Sequence, residues 1–253
     1  MGFVRTPQEI ERATQVLSAP SFVNGRVLLV SYLADPLVLE RVIPPPLLPG
    51  SRPRVTVQVG EWESNCVGSF TGGSVLIAVR HGDESGDYPL AMWMNSGPSV
   101  MFGREVFGEP KKLCASELSK SGDRARGWVE RHGVRLLDLH AELKGHQQLG
   151  EVSGVVFNVK AQMSASGIGL DGDATLTRMS FVTRLRVHRS AAASAKIESS
   201  PHDPLDELGL VEPRGARYIE GDQTAMCEEI GTIPAVDFLP FHLGRADDWT
   251  ALG

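Results

Sequence analysis

Arg54-Val55-Thr56-Val57-Gln58-Val59 alternates apolar and polar side chains with period two. That period belongs to a strand, because successive Cβ atoms point to opposite faces of a sheet. Val55, Val57 and Val59 therefore share one face, and Thr56 and Gln58 the other. Outward from this stretch the pattern persists. Residues 26–33 are β-rich, and 74–80 and 90–94 read as strands flanking the polar turn His81-Gly82-Asp83-Glu84-Ser85-Gly86-Asp87. Residues 133–142, 152–165 and 175–189 read as further strands, and 100–106 as a short helix or a strand. The polar, alanine- and serine-rich segment 190–200 reads as a loop.

Helix signals are few. Thr6-Pro7-Gln8-Glu9 is a capping-box start with proline at the first position, followed by the stripe Ile10, Ala13, Leu17. Asp35-Pro36 opens a second, short helix that Pro44-Pro45-Pro46 ends. Asp203-Pro204-Leu205-Asp206-Glu207-Leu208 reads as a third, and the C-terminal segment around Trp249 as irregular. No linker or repeat divides the chain. The expectation is one α+β domain over 1–253, with a large, mostly antiparallel sheet and peripheral helices.

Bulk composition excludes several classes. With 253 residues, 42% hydrophobic and 22% charged, the chain is an ordinary globular one. A net charge of −6 argues against a nucleic-acid partner. No apolar stretch approaches the ~18 residues of a membrane span, and the N-terminus lacks a signal-peptide core. Cys66, Cys114 and Cys227 are odd in number and far apart, which points to reduced thiols in the cytoplasm. The seven histidines form no helical pair or cluster, so no metal site is expected. Gly167-Ile168-Gly169-Leu170-Asp171-Gly172 matches a dinucleotide pattern, but a strand-like segment follows where a helix is required, so it reads as a hairpin. There is no G-x-S-x-G elbow.

The chemistry lies in Gly103-Arg104-Glu105-Val106-Phe107-Gly108-Glu109-Pro110-Lys111-Lys112-Leu113. Most paired lysines are solvated. In a pocket, burial and a neighbouring cation favour the neutral amine, which attacks ketones and aldehydes to form Schiff bases. The flanks Val106-Phe107-Gly108 and Leu113-Cys114-Ala115 are apolar or small, which favours the pocket and puts Cys114 close by.

Gly103-Arg104-Glu105 followed by Pro110-Lys111-Lys112-Leu113 resembles the signature of the acetoacetate decarboxylase superfamily. Ala19-Pro20-Ser21-Phe22, Val42-Ile43-Pro44-Pro45-Pro46-Leu47, Gly86-Asp87-Tyr88 and the segment beginning Asp203-Pro204 resemble other parts of it, in the family's order. The resemblance implies a cofactor-free enzyme in which Lys111 forms the Schiff base and Lys112 is the activating cation. Acetoacetate decarboxylase is itself the general example of a lysine activated in this way. The resemblance also implies homo-oligomers, and it assigns Arg26 to the substrate carboxylate.

Two departures stand out. Gln58 occupies the place of one decarboxylase glutamate, and Gly72 or Gly73 that of a second. The resemblance then implies aldolase–dehydratase chemistry on a keto acid such as pyruvate, with Gln58 bonding a substrate oxygen and Arg26 clamping a carboxylate. Glu61, Tyr88 and Tyr218 are the candidate proton carriers. Glu61 has a bland alternative: with Glu63 it flanks Trp62, as solvated edge carboxylates commonly do. The alternatives for the whole chain are decarboxylation of a larger β-keto acid, and a small-molecule-binding protein without turnover.

Overall fold

The computed structural model describes residues 2–245. In chain order the elements are α1 (Pro7–Ser18), β1 (Ser21–Leu33), α2 (Pro36–Val42), β2 (Leu48–Pro49), β3 (Arg54–Ser64), β4 (Gly68–His81) and β5 (Glu84–Met94). Then follow α3 (Gly97–Phe102), a π turn (Gly103–Phe107), β6 (Lys111–Leu113), β7 (Ala115–Ser121), β8 (Arg124–Arg131) and β9 (Val134–His146). The last are β10 (Glu151–Lys160), β11 (Ala174–Ile197), a 3-10 turn (Leu205–Leu208), β12 (Gly215–Ile233) and α4 (Ala235–Arg245). Thr6 caps α1 with the full capping box, and Asp35 caps α2 through the Leu37 amide.

The strands pair in the order β5-β4-β3-β1-β12-β11-β10, and β10 returns to β5 with Val156 opposite Asp87, so this part of the sheet closes into a barrel. Closure leaves no free edge between its first and last strands. The pairs are antiparallel except β10–β5 and β5–β6. β9, β8 and β7 continue from the far half of β11 as a wing.

β11 ties the two parts together. Its 175–184 half pairs with β10, and its 189–197 half pairs with β9. Segment 190–200 is thus mostly strand and not a loop. Ala191, Ala193, Ala195 and Ile197 alternate onto the apolar core, and small residues suit the close approach of wing to barrel. Residues 100–106 are helical, and the C-terminal segment forms α4 despite Pro240. Fully buried Phe238 anchors α4, and Trp249 lies outside the described residues. The glycine-rich hexapeptide is the β10–β11 connection, with positive φ at Gly167, Gly169 and Gly172.

The main core lies outside the barrel, between its wall and the wing. Val55, Val57 and Val59 of β3 and Leu28 and Val30 of β1 meet Val129, Leu137 and Leu139 there. The polar face of β3 turns inward to the barrel interior. Among the described residues no helix is long and apolar enough to cross a membrane.

If barrel and wing share one core, Leu139→Ala should weaken the whole molecule. Leu139 is completely buried, and such a truncation costs about 2–5 kcal/mol. Urea unfolding followed by tryptophan fluorescence and by circular dichroism should shift as one transition. Two separated transitions would show that the wing unfolds independently.

Candidate active site

Sheet register decides which side chains meet. Arg217, Leu29, Gln58, Ser74, Met92 and Lys111 are successive cross-strand partners on β12, β1, β3, β4, β5 and β6. Paired residues share a face, and all six line one cavity of about 380 Å³ inside the barrel. The adjacent row is Tyr218, Leu28, Val59, Gly73, Trp93 and Lys112. It faces outward. Lys111 and Lys112 are neighbours in sequence but project through opposite sides of the wall.

The chain reaches β6 by a tight path. The π turn is capped by Gly108, whose φ of +79° suits glycine and where a Cβ would fall 2.6 Å from the Lys160 backbone. Glu109 and Lys111 then flank Pro110 in an extended segment, so both point into the barrel. Their exposures are 7% and 6%, and Lys111 Nζ lies 2.7 Å from Glu109 Oε2. The Phe70 ring centre is 5.7 Å from the same amine. Gly103 backs the pair: a Cβ there would fall 2.4 Å from Glu109 Oε2 and 2.5 Å from Lys111 Cδ.

Gln58 and Ser74 face the same cavity as partners across β3 and β4. Of the two glycines, Gly72 is the one on the inner face and Gly73 points at Val129. A Cβ on Gly72 would meet Met94 Sδ at 2.4 Å and Trp93 O at 2.2 Å, so the methionine thioether occupies the space of a side chain. Arg54, Asp87, His188 and Arg217 also line the cavity. Arg54 Nη2 bonds Asp87 Oδ1 at 2.9 Å. Burial nevertheless pushes the Asp87 carboxyl above its usual range.

Lys112 belongs to a different network. Its Nζ donates to His202 O at 3.0 Å and meets Asp203 Oδ1 at 3.3 Å. The same carboxylate accepts from Trp93 Nε1 at 2.9 Å and from Arg131 Nη1 at 3.5 Å. Cys114 is on the Lys112 side of β6, and burial pushes its thiol up to about 11. No His, Cys, Asp and Glu cluster suited to a metal is present among the described residues.

The other expected site residues lie elsewhere. Arg26 pairs with Glu61, its cross-strand partner on the outer face. It is three residues from Leu29, which faces inward, so alternation turns Arg26 and Glu61 away from the Lys111 amine. Tyr218 is fully buried on the outer row and donates to Glu220 Oε1 at 3.0 Å. Burial first, and that carboxylate next, raise its phenol further above the usual range. Tyr88 is fully buried beside Arg245 and lines a separate outer pocket. Arg26 cannot clamp, nor Glu61, Tyr88 or Tyr218 protonate, a substrate held in this cavity. The inward arginines are Arg54 and Arg217.

The sequence assigns no role to Glu109 or Asp203, the carboxylates that meet the two lysines. For Glu109 the signal was its place two residues before Lys111 in an extended stretch. For Asp203 it was a contact 91 residues distant from Lys112, which no local pattern encodes.

The Asp203 network fixes β6 from outside. Removing one member of a buried ion pair costs about 3–5 kcal/mol. Asp203→Ala should therefore lower unfolding stability by that order in urea titrations. A loss below about 1 kcal/mol would show that the network does not hold the strand.

Residues 5–231 match the family model described as acetoacetate decarboxylase (ADC). The chain is 27% identical over 219 residues to an acetoacetate decarboxylase of Burkholderia vietnamiensis, covering 83% of this chain and 87% of that one. To that of Burkholderia cenocepacia J2315 it is 26% identical over 224 residues, with the same coverage. Among solved structures, acetoacetate decarboxylase from Legionella pneumophila superposes with a TM-score of 0.74 at 17% identity, over 84% of this chain and 87% of that one. MppR, an enduracididine biosynthesis enzyme solved with the condensation product of pyruvate and imidazole 4-carboxaldehyde, gives 0.72 at 15% identity, over 83% and 88%. The match along 5–231, on a closed barrel with a wing, means that the chain belongs to the acetoacetate decarboxylase family.

Proposed function

We propose that the protein is a cofactor-free Schiff-base enzyme acting on a keto acid or other small carbonyl compound, with Lys111 as nucleophile. The observation that carries this is the Lys111 amine, buried in the barrel wall and opening on a cavity of about 380 Å³. Pockets of this size suit small organic ligands. Attack of the amine on the carbonyl carbon and loss of water give an iminium. That cation accepts the electron pair released when a bond to the substrate α-carbon breaks.

The residues around the amine favour aldol addition or cleavage coupled to dehydration. Gln58 and Ser74 present neutral hydrogen-bonding groups, and Gly72 presents none. Neutral donors stabilise a bound carboxylate and so oppose its loss as carbon dioxide. Arg217 and Arg54 supply positive charge for a carboxylate in the same cavity. Lys112, tied to Asp203, acts as a positioning residue that holds the other face of β6. Decarboxylation of a β-keto acid is the second reading, and the Burkholderia relatives, named acetoacetate decarboxylases, favour it.

Borohydride trapping separates these readings. The protein is incubated with pyruvate, acetoacetate, 2-oxobutyrate or propanal, reduced, and mapped by mass spectrometry. The expected adduct is on Lys111 and is lost in Lys111→Ala. Absence of an adduct across the panel would favour a binding protein without turnover. Where an adduct forms, carbon dioxide release identifies decarboxylation, and its absence with new carbon–carbon bonds identifies aldol chemistry.

A further inference from the structure

We infer that Glu109 is the proton carrier of the Lys111 site, a catalytic carboxylate delivered by the lysine's own strand segment. The inference rests on the Schiff-base reading and adds the group that moves the protons.

Three observations converge on Glu109. Its carboxylate is buried and lies 2.7 Å from Lys111 Nζ, within direct transfer distance. The other carboxylate lining the cavity, Asp87, is bound to Arg54. Elsewhere on the cavity wall, Gln58 and Ser74 present neutral side chains and Gly72 presents none. Glu109, just ahead of β6, supplies the acid–base group that these residues lack.

Glu109 also has a route for protons. It lines both the barrel cavity and a small polar pocket on the other side, shared with Arg104, His242 and Arg245. That pocket is about 30 Å³, enough for one or two waters. His242 Nε2 is buried without a hydrogen-bond partner. Burial lowers this imidazole to about 4, so it is neutral near pH 7. A water between these groups can exchange protons with Glu109 from the side away from the barrel cavity.

The steps balance. The Lys111 ammonium gives a proton to the Glu109 carboxylate. The free amine forms the C–N bond, and the carbonyl π pair moves to oxygen. Glu109 returns its proton to that oxygen, takes one from nitrogen, and returns that to the hydroxyl as the C–O bond breaks and water leaves. The iminium remains with Glu109 ionised. Glu109 then removes an α-proton; the C–H pair becomes the enamine C=C bond, and the C=N π pair moves to nitrogen. The α-carbon is two bonds from Nζ, within reach of the same carboxylate.

The test uses pyruvate in deuterium oxide with the full chain, comparing wild type, Glu109→Gln and Glu109→Asp. Methyl-proton exchange is followed by NMR, and the Lys111 adduct by borohydride reduction and mass spectrometry. Circular dichroism confirms that each variant is folded. Losing a general acid–base group costs about 10²–10⁴-fold. Glu109→Gln should lose exchange by at least ~100-fold, and Glu109→Asp should recover part of it. Exchange within about twofold of wild type in Glu109→Gln would overturn the role while the Schiff base stood. A wild-type protein that forms no Lys111 adduct would overturn both. If Glu109→Gln fails to fold, Glu109→Asp decides: a slowed exchange with an intact adduct supports the role, and an unchanged rate overturns it.

Discussion

Everything at this site depends on the alternation of a three-residue strand. β6 adds to β5 in parallel, with Lys111 opposite Met92 and Lys112 opposite Trp93. Because side chains alternate, one lysine must enter the barrel and the other must leave it. A one-residue slip would exchange their environments and place each amine against the wrong carboxylate. The backbone pairing of β6, the αL glycine at 108 and the empty Cβ space at Gly103 all serve this single choice of register.

The same alternation places the apolar core. In many barrels the inside is the packed region. Here the valines of β3 look outward under the wing, and the inward face carries Thr56 and Gln58. The interior remains open, because stability comes from the layer between wall and wing. A cavity can then be kept at the centre of the barrel at little cost to packing.

How much of this could be read from residues alone follows from how local each feature is. The strands around 54–59, the capped α1 and the hairpin at 167–172 are written in short patterns, and those readings match the structure. Segment 190–197 was hidden because Ala and Ser carry almost no periodic signal, although burial beneath the wing makes it a strand. Closure of β10 onto β5 joins residues 69 positions apart and has no local mark. The site divided in the same way. Lys111 and Gln58, singled out in the sequence, both face the barrel cavity. Arg26 could not be placed, because the bulge between Val23 and Arg26 resets which β1 residues face inward. Lys112 looked like the partner of Lys111 only because sequence neighbours are not spatial neighbours across a strand.

Two buried ion pairs therefore straddle β6, and their surroundings assign them different work. Replacing a buried ion pair by apolar residues is often neutral or stabilising, so stability alone does not explain keeping either one. Asp203 is buried and bonded to Lys112, Trp93 and Arg131, a network that fixes one geometry, although with Lys112 it also lines the outer pocket beside Tyr88. Glu109 and Lys111 face the barrel cavity, and Glu109 also borders a small polar pocket on the other side. The difference lies in how the carboxylates are shared: Asp203 is divided among three donors, whereas the Glu109 carboxylate meets Lys111 at 2.7 Å beside the barrel cavity. The Asp203 pair fixes β6 from outside, and the Glu109 pair is the one that opens on the barrel interior.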